Sequence, residues 1–180
     1  MKKAKKSVKK QSEVKLYIGR LEPAAGFKKV SIAPVAPMKL MFQENSVDEI
    51  TVEHIFHLVP GPMRGAFMDE CFRILKVGGK LTISVPYYSH MRAVQDFMHA
   101  WPPVCEASFL YFNKGWREAN KIDYDLHCDF DFGYGYSAEQ ETASKNDETR
   151  NFYIKHYVNA VTDLIATLTK RDPNGSNSAK

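Results

Sequence analysis

Three polar side chains have the types and spacing to move a proton. His54 and His57 lie three residues apart, a separation that brings side chains together on one face of a helical turn. Imidazole titrates near neutrality, so His54 is a candidate general base for stripping a hydroxyl or an amine. Asp96 and His99 form a second candidate pair, in which the carboxylate would orient the imidazole. The catalytic candidates are therefore His54, Asp96 and His99. His127, Cys128 and Asp129 carry metal-ligand types, but successive side chains on a strand point to opposite faces, so Cys128 turns away from the other two. No Cys-x-x-Cys pair is present among Cys71, Cys105 and Cys128. No metal site is expected.

The elements that must position these groups are legible from periodicity. Val14–Ile18 alternates and meets Gly19, a first strand. Lys29–Ile32 reads as a short second strand, and residues 33–41, with two prolines, as irregular. Ser46–Val52 reads as a third strand. A helix over 62–76 carries one apolar stripe at Phe67, Cys71, Ile74 and Leu75, and Gly78-Gly79 is expected to stop it. Leu81–Val85 alternates into Pro86 as a further strand. Residues 87–121 are aromatic, with a short helix expected near 91–99, and suit a substrate lid or a satellite core. Tyr124–Phe132 alternates like a half-buried strand. Residues 137–150 read as a loop, 151–161 as a helix, and 164–170 as the helix continued or, favoured by Ile165, Thr167 and Thr169, a last strand. The order implies an α/β sheet, mostly parallel with a strand-rich C-terminal part. The connections before Ser46 are too short for full crossover helices.

Composition bounds the alternatives. Hydrophobic residues make up 44% and charged residues 26% of the 180, which suits one soluble globular domain with a core of its own. No apolar run approaches the ~20 residues of a membrane span, and the cysteine usage fits a reducing cytoplasmic setting. The net charge of +4 resides in residues 1–10, which hold six lysines and no acid. That segment reads as a disordered basic tail over 1–12, able to touch a polyanion weakly. The domain spans 13–170, and 171–180 form a disordered C-terminal tail.

The span from Asn45 to Pro86 carries a resemblance. It reads NSVDEI, then VEHIFHLVP, then FMDECFRILKVGGKLTISVP. This order of turn, strand, helix, double glycine and Val-Pro strand resembles the small class I S-adenosylmethionine-dependent methyltransferases of the methyltransferase-11-like group. The resemblance extends from about residue 14 to about 115. It implies a trimmed Rossmann-like class I methyltransferase fold, S-adenosylmethionine as cofactor, and a small-molecule or glycan-like acceptor. It also places cofactor contacts at Gly19, Ser31, Ile32, Leu40, Glu53 and His57.

The chain departs from that pattern where the ligand is gripped. Gly-x-Gly after the first strand is Gly19-Arg20-Leu21, and the acid expected after the second strand is Ser31. The run Val35–Phe42 has no acid, and His57-Leu58 stands where a Glu-His pair is expected. Two functions follow: a methyltransferase with an altered pocket, or a non-catalytic descendant that keeps the fold to bind a partner.

Overall fold

The computed structural model describes residues 13–32 and 39–172. The tail over 1–12, most of the Pro-containing run and residues 173–180 lie outside the described residues, and with them the expectations placed there.

Alternating apolar residues set the sheet. The strands β1 (Lys15–Gly19), β2 (Phe27–Lys29), β3 (Val47–Glu53) and β4 (Leu75–Pro86) pair in parallel. The C-terminal strands β5 (Phe130–Ala138) and β6 (Val161–Lys170) are antiparallel, with β6 inserted between β4 and β5. The sheet order is β2-β1-β3-β4-β6-β5. Residues 20–26 join β1 to β2 without a helix, so the expected trimmed α/β architecture is present.

Register follows from burial. Leu16, Ile50 and Leu81 are level across three strands, as are Ile18, Val52 and Ile83, and all six are at most 1% exposed. Full burial of each such side chain contributes about 1.5–3 kcal/mol. The helix α1 (Gly61–Ile74) covers this face with Phe67, Met68, Cys71 and Ile74. Tyr17, Thr51 and Thr82 point to the opposite face, where Thr51 and Thr82 are only half-buried.

Several boundaries differ from expectation for identifiable reasons. The helix α1 ends at Ile74, before the double glycine. Its last-turn carbonyls are drawn into tertiary bonds: Asn45 N–H donates to Arg73, Ser46 N–H to Ile74, and Lys170 Nζ to Phe72 and Leu75. Gly78-Gly79 instead forms an irregularity within β4, with Gly78 at φ +75. A Cβ on Gly79 would lie 2.8 Å from the Lys76 carbonyl. The expected strand over 124–132 shifts to β5, because Asp69 takes the N–H groups of His127 and Cys128 and holds that stretch as an extended strap. β2 lies slightly earlier than expected. Residues 91–99 form only a 3₁₀ turn at Met91–Ala93, and helices α2 (Ala107–Leu110) and α3 (Lys114–Ala119) follow. The expected loop at 137–150 contains α4 (Gln140–Ala143) and the start of α5 (Asp147–His156), which Asn146 caps through the Thr149 N–H.

Lys170 is the buried cation that joins the sheet to α1. Its ammonium donates to Asn45 Oδ1 at 2.8 Å, Phe72 O at 2.7 Å and Leu75 O at 2.8 Å, and lies 4.4 Å from the Phe72 ring centroid. Lys170→Met keeps the volume and removes all three donors. It is expected to lower stability by about 2–4 kcal/mol in urea denaturation, because buried carbonyls lose their partner; an unchanged midpoint would contradict this role.

Candidate functional site

The carboxyl ends of β1 and β3 bring an acid, a phenol and a glycine together. The parallel register sets Gly19 beside Glu53 and Tyr17 beside Thr51. Tyr17 Oη donates to Glu53 Oε2 at 2.6 Å. A Cβ on Gly19 would lie 2.3 Å from the Tyr17 hydroxyl, so the glycine is what admits the phenol. Burial, and then the Glu53 bond, push the Tyr17 hydroxyl up to about 12, which keeps it a neutral donor. A cavity of about 230 Å³ remains, lined by Tyr17, Glu22, Ala24, Thr51, Glu53 and Ser84 among others.

The histidines cluster at the same end of the sheet. His54 directly follows β3 with φ 51, a left-handed conformation rare for a side chain of this size. Its N–H donates to the Ser84 carbonyl at 3.0 Å, which fixes that turn. His54 Nδ1 lies 3.9 Å from Asp163 Oδ1, and Arg92 holds the other carboxylate oxygen at 3.3 Å. Asp163 is a candidate residue that sequence reasoning missed. On the β4 side it pairs with Pro86, at the end of that strand, and this β4–β6 pairing brings it to His54.

His57 lies inside the cluster rather than at its surface. Its ring packs edge-on to His99 at 4.3 Å between centroids, with His54 at 6.3 Å. Burial, then the neighbouring His99 and His54, lower its pKa to about 3. It is therefore neutral, and its Nδ1 is buried without a hydrogen bond among the described residues.

The expected Asp96–His99 pair does not form. Asp96 Oδ1 accepts the Met98 N–H at 2.9 Å, whereas His99 Nδ1 lies 2.7 Å from the Ala93 carbonyl. A carbonyl can only accept, so Nδ1 carries a proton, and in the neutral ring Nε2 keeps the lone pair. The main chain thus does the orienting expected of Asp96.

The expected cofactor residues divide. Gly19 and Glu53 stand together at the strand ends. Ser31 is exposed and Ile32 half-buried just beyond β2. Leu40 is corrected to a core residue: its side chain is buried in the main cluster and its N–H donates to Glu70 Oε1 at 2.6 Å. His57 is likewise turned inward, and neither lines the cavity beside Glu53.

A larger cavity of about 880 Å³ lies on the α1 side, among Phe56, Pro62, Arg64, Tyr111, Phe112 and Tyr124. It is on the opposite face of the sheet from Tyr17 and Glu53. Size alone would favour it, but an acid and imidazoles able to accept a proton stand at the strand ends, where ligands of open α/β sheets generally bind. In the aromatic region Tyr87, Phe109 and Phe112 are core, whereas Tyr88 and Trp101 are exposed. No metal-binding cluster occurs among the described residues, and none of their helices is long and apolar enough to cross a membrane.

A family model described as a methyltransferase domain matches residues 2–83, just under half of the chain. No curated protein matches. Among solved structures, a S-adenosylmethionine-dependent methyltransferase of Archaeoglobus fulgidus is similar at 14% identity and a TM-score of 0.50, covering 81% of this chain and 68% of that one. The complex of the Haloferax volcanii Trm112 methyltransferase activator with a methyltransferase gives 17% identity and a TM-score of 0.48, covering 86% and 66%. The YcgJ protein of Bacillus subtilis gives 13% and 0.46, covering 81% and 72%. The chain thus spans about two thirds of the length of these structures, and the likeness to the Archaeoglobus fulgidus structure establishes the fold.

The buried neutral His57 has a consequence for acid stability. An unfolded histidine protonates near 6.5, whereas folded His57 stays neutral down to about 3. The unfolded state then binds more protons, so this contribution to stability is lost as the pH falls from 6.5 towards 3. Urea denaturation at pH 7 and pH 5 is expected to show a loss of about 2 kcal/mol from this residue. His57→Leu is expected to flatten that dependence; an equally steep dependence in the variant would contradict it.

Proposed function

We propose that this chain, which belongs to the class I S-adenosylmethionine-dependent methyltransferases by its fold and the sequence of its first half, binds that cofactor beside Gly19 and Glu53 and methylates a small acceptor near His54. The observation that carries this reading is the convergence of Tyr17 and Glu53 over Gly19 at the carboxyl ends of β1 and β3. Glu53 supplies the carboxylate missing at Ser31, with two oxygens able to accept from a pair of hydroxyls. With the phenol in place the cavity of about 230 Å³ is smaller than the ~300–1,000 Å³ usual for ligand pockets. The residues fit the cofactor in type once the Tyr17 ring turns out, which also frees Glu53.

When bound, the cofactor supplies an electrophilic methyl group on its sulfonium. The chain's own task is then alignment and proton removal. His54 takes the acceptor's proton, and the Asp163 carboxylate stabilises the imidazolium that results. Arg92 fixes Asp163 in turn. His99 presents Nε2 as a second acceptor, set by the Ala93 carbonyl.

The same Tyr17 ring favours a second reading, a non-catalytic binding protein, if it never leaves Gly19. Calorimetry separates the two. Tyr17→Ala is expected to raise S-adenosylmethionine affinity at least about tenfold, since displacing the ring and its hydrogen bond costs roughly 1.5 kcal/mol or more. Absence of binding in both the natural chain and the variant would overturn the methyltransferase reading. His54→Ala is expected to slow labelled-methyl transfer to an acceptor extract by about 100-fold, with cofactor affinity within a factor of about two. An unchanged rate would remove His54 from the chemistry.

A further inference from the structure

The two edges of the sheet are not alike. β2 is three residues long and carries Lys28 and Lys29, a short charged edge of the kind that resists pairing. β5 is nine residues long, and from Phe132 to Tyr136 it has no charge, no proline and no irregularity. Its outward groups can be assigned. Phe130 N–H donates to the Phe112 carbonyl, and its own carbonyl accepts from Asn113 Nδ2, both away from β6. Asp129 and Arg171 bond on the β6 side. By alternation, Phe132, Tyr134 and Tyr136 turn their N–H and C=O groups outward. No backbone partner for them occurs among the described residues. Tyr134 is 55% exposed, and Gly133 and Gly135 have open space where a Cβ would stand.

We infer that β5 is an edge for a second copy of this chain, paired antiparallel about Tyr134. The observation that selects this partner is self-complementarity. With Tyr134 on the twofold axis, Phe132 meets the partner's Tyr136, and each facing pair exchanges both N–H···O bonds. The three aromatic residues then lie on one face as cross-strand pairs, while the glycines leave the other face flat. Asp131, the only charged residue of β5, falls opposite the partner's Ser137 rather than its own copy. Like charges therefore do not oppose each other within the strand, and the two sheets become one. The Tyr136 hydroxyl donates to Glu106, together with Tyr87, which anchors this strand against α2 before any partner arrives.

Light scattering and sedimentation on the full chain, from micromolar to near-millimolar concentration, test this. The natural chain is expected to approach twice its 20.5 kDa mass. Tyr134→Pro removes only an outward N–H, and Tyr134→Lys places two ammonium groups on the axis. Both are expected to weaken self-association at least about tenfold, with unchanged circular dichroism and melting. If the proline variant fails to fold, the lysine variant decides. A natural chain that stays at a single-chain mass throughout, or a dimer that survives in a folded variant, would overturn the inference; so would exchange protection at Phe132, Tyr134 and Tyr136 that does not depend on chain concentration.

Discussion

The register between β1 and β3 is the constraint on which the site depends. Leu16 and Ile18 must face α1 together with Ile50 and Val52. A slip of one residue would turn one strand's pair, Leu16 and Ile18 or Ile50 and Val52, to the other face, so the core fixes the pairing firmly. Once it is fixed, Tyr17 and Glu53 share the open face and Gly19 lies level with Glu53. The phenol–carboxylate bond and the glycine beneath it follow from that one alignment. Hydrophobic burial on one face thus places the polar groups of the other.

The second half of the site is placed by the antiparallel insertion of β6. Pairing of Pro86 with Asp163 carries a carboxylate to the end of β4, beside His54, whose N–H is held by Ser84 of the same strand. The imidazoles then settle by environment. His54 is half-exposed and faces an acid, His57 is buried and kept neutral, and His99 is oriented by a carbonyl. Three like residues thus meet three different surroundings, and burial keeps one of them, His57, neutral. The large aromatic cavity on the α1 face is lined by none of these groups; Arg64 in its wall donates to the carbonyls of Val59, Ala100 and Pro102.

The scaffold was legible because its signals are local. Alternation marked β1, β3, β4 and β6, and the stripe at Phe67, Cys71 and Ile74 marked α1. What was not legible depended on contacts between distant segments. The end of α1 was set by Lys170 and the Asn45-Ser46 turn, so the double glycine misled. The strap at 124–128 alternates like a strand, yet Asp69 claims its N–H groups. Asp96 and His99 had helical spacing, but the segment made only a short 3₁₀ turn, and the pair never met. Asp163 carried no local mark at all. The loss of the family's acid at Ser31 was visible in sequence; its counterpart at Glu53 became visible only when Tyr17 was seen to reach it.

The account rests on ligand binding at the strand ends of the open sheet face. A titration of isotopically labelled chain with S-adenosylhomocysteine, followed by amide chemical shifts, addresses this most directly. The account predicts perturbations concentrated at Tyr17, Gly19, Glu53 and Ser84. Shifts confined to Arg64, Tyr111 and Tyr124 around the larger cavity, or no shifts at saturating ligand, would contradict it.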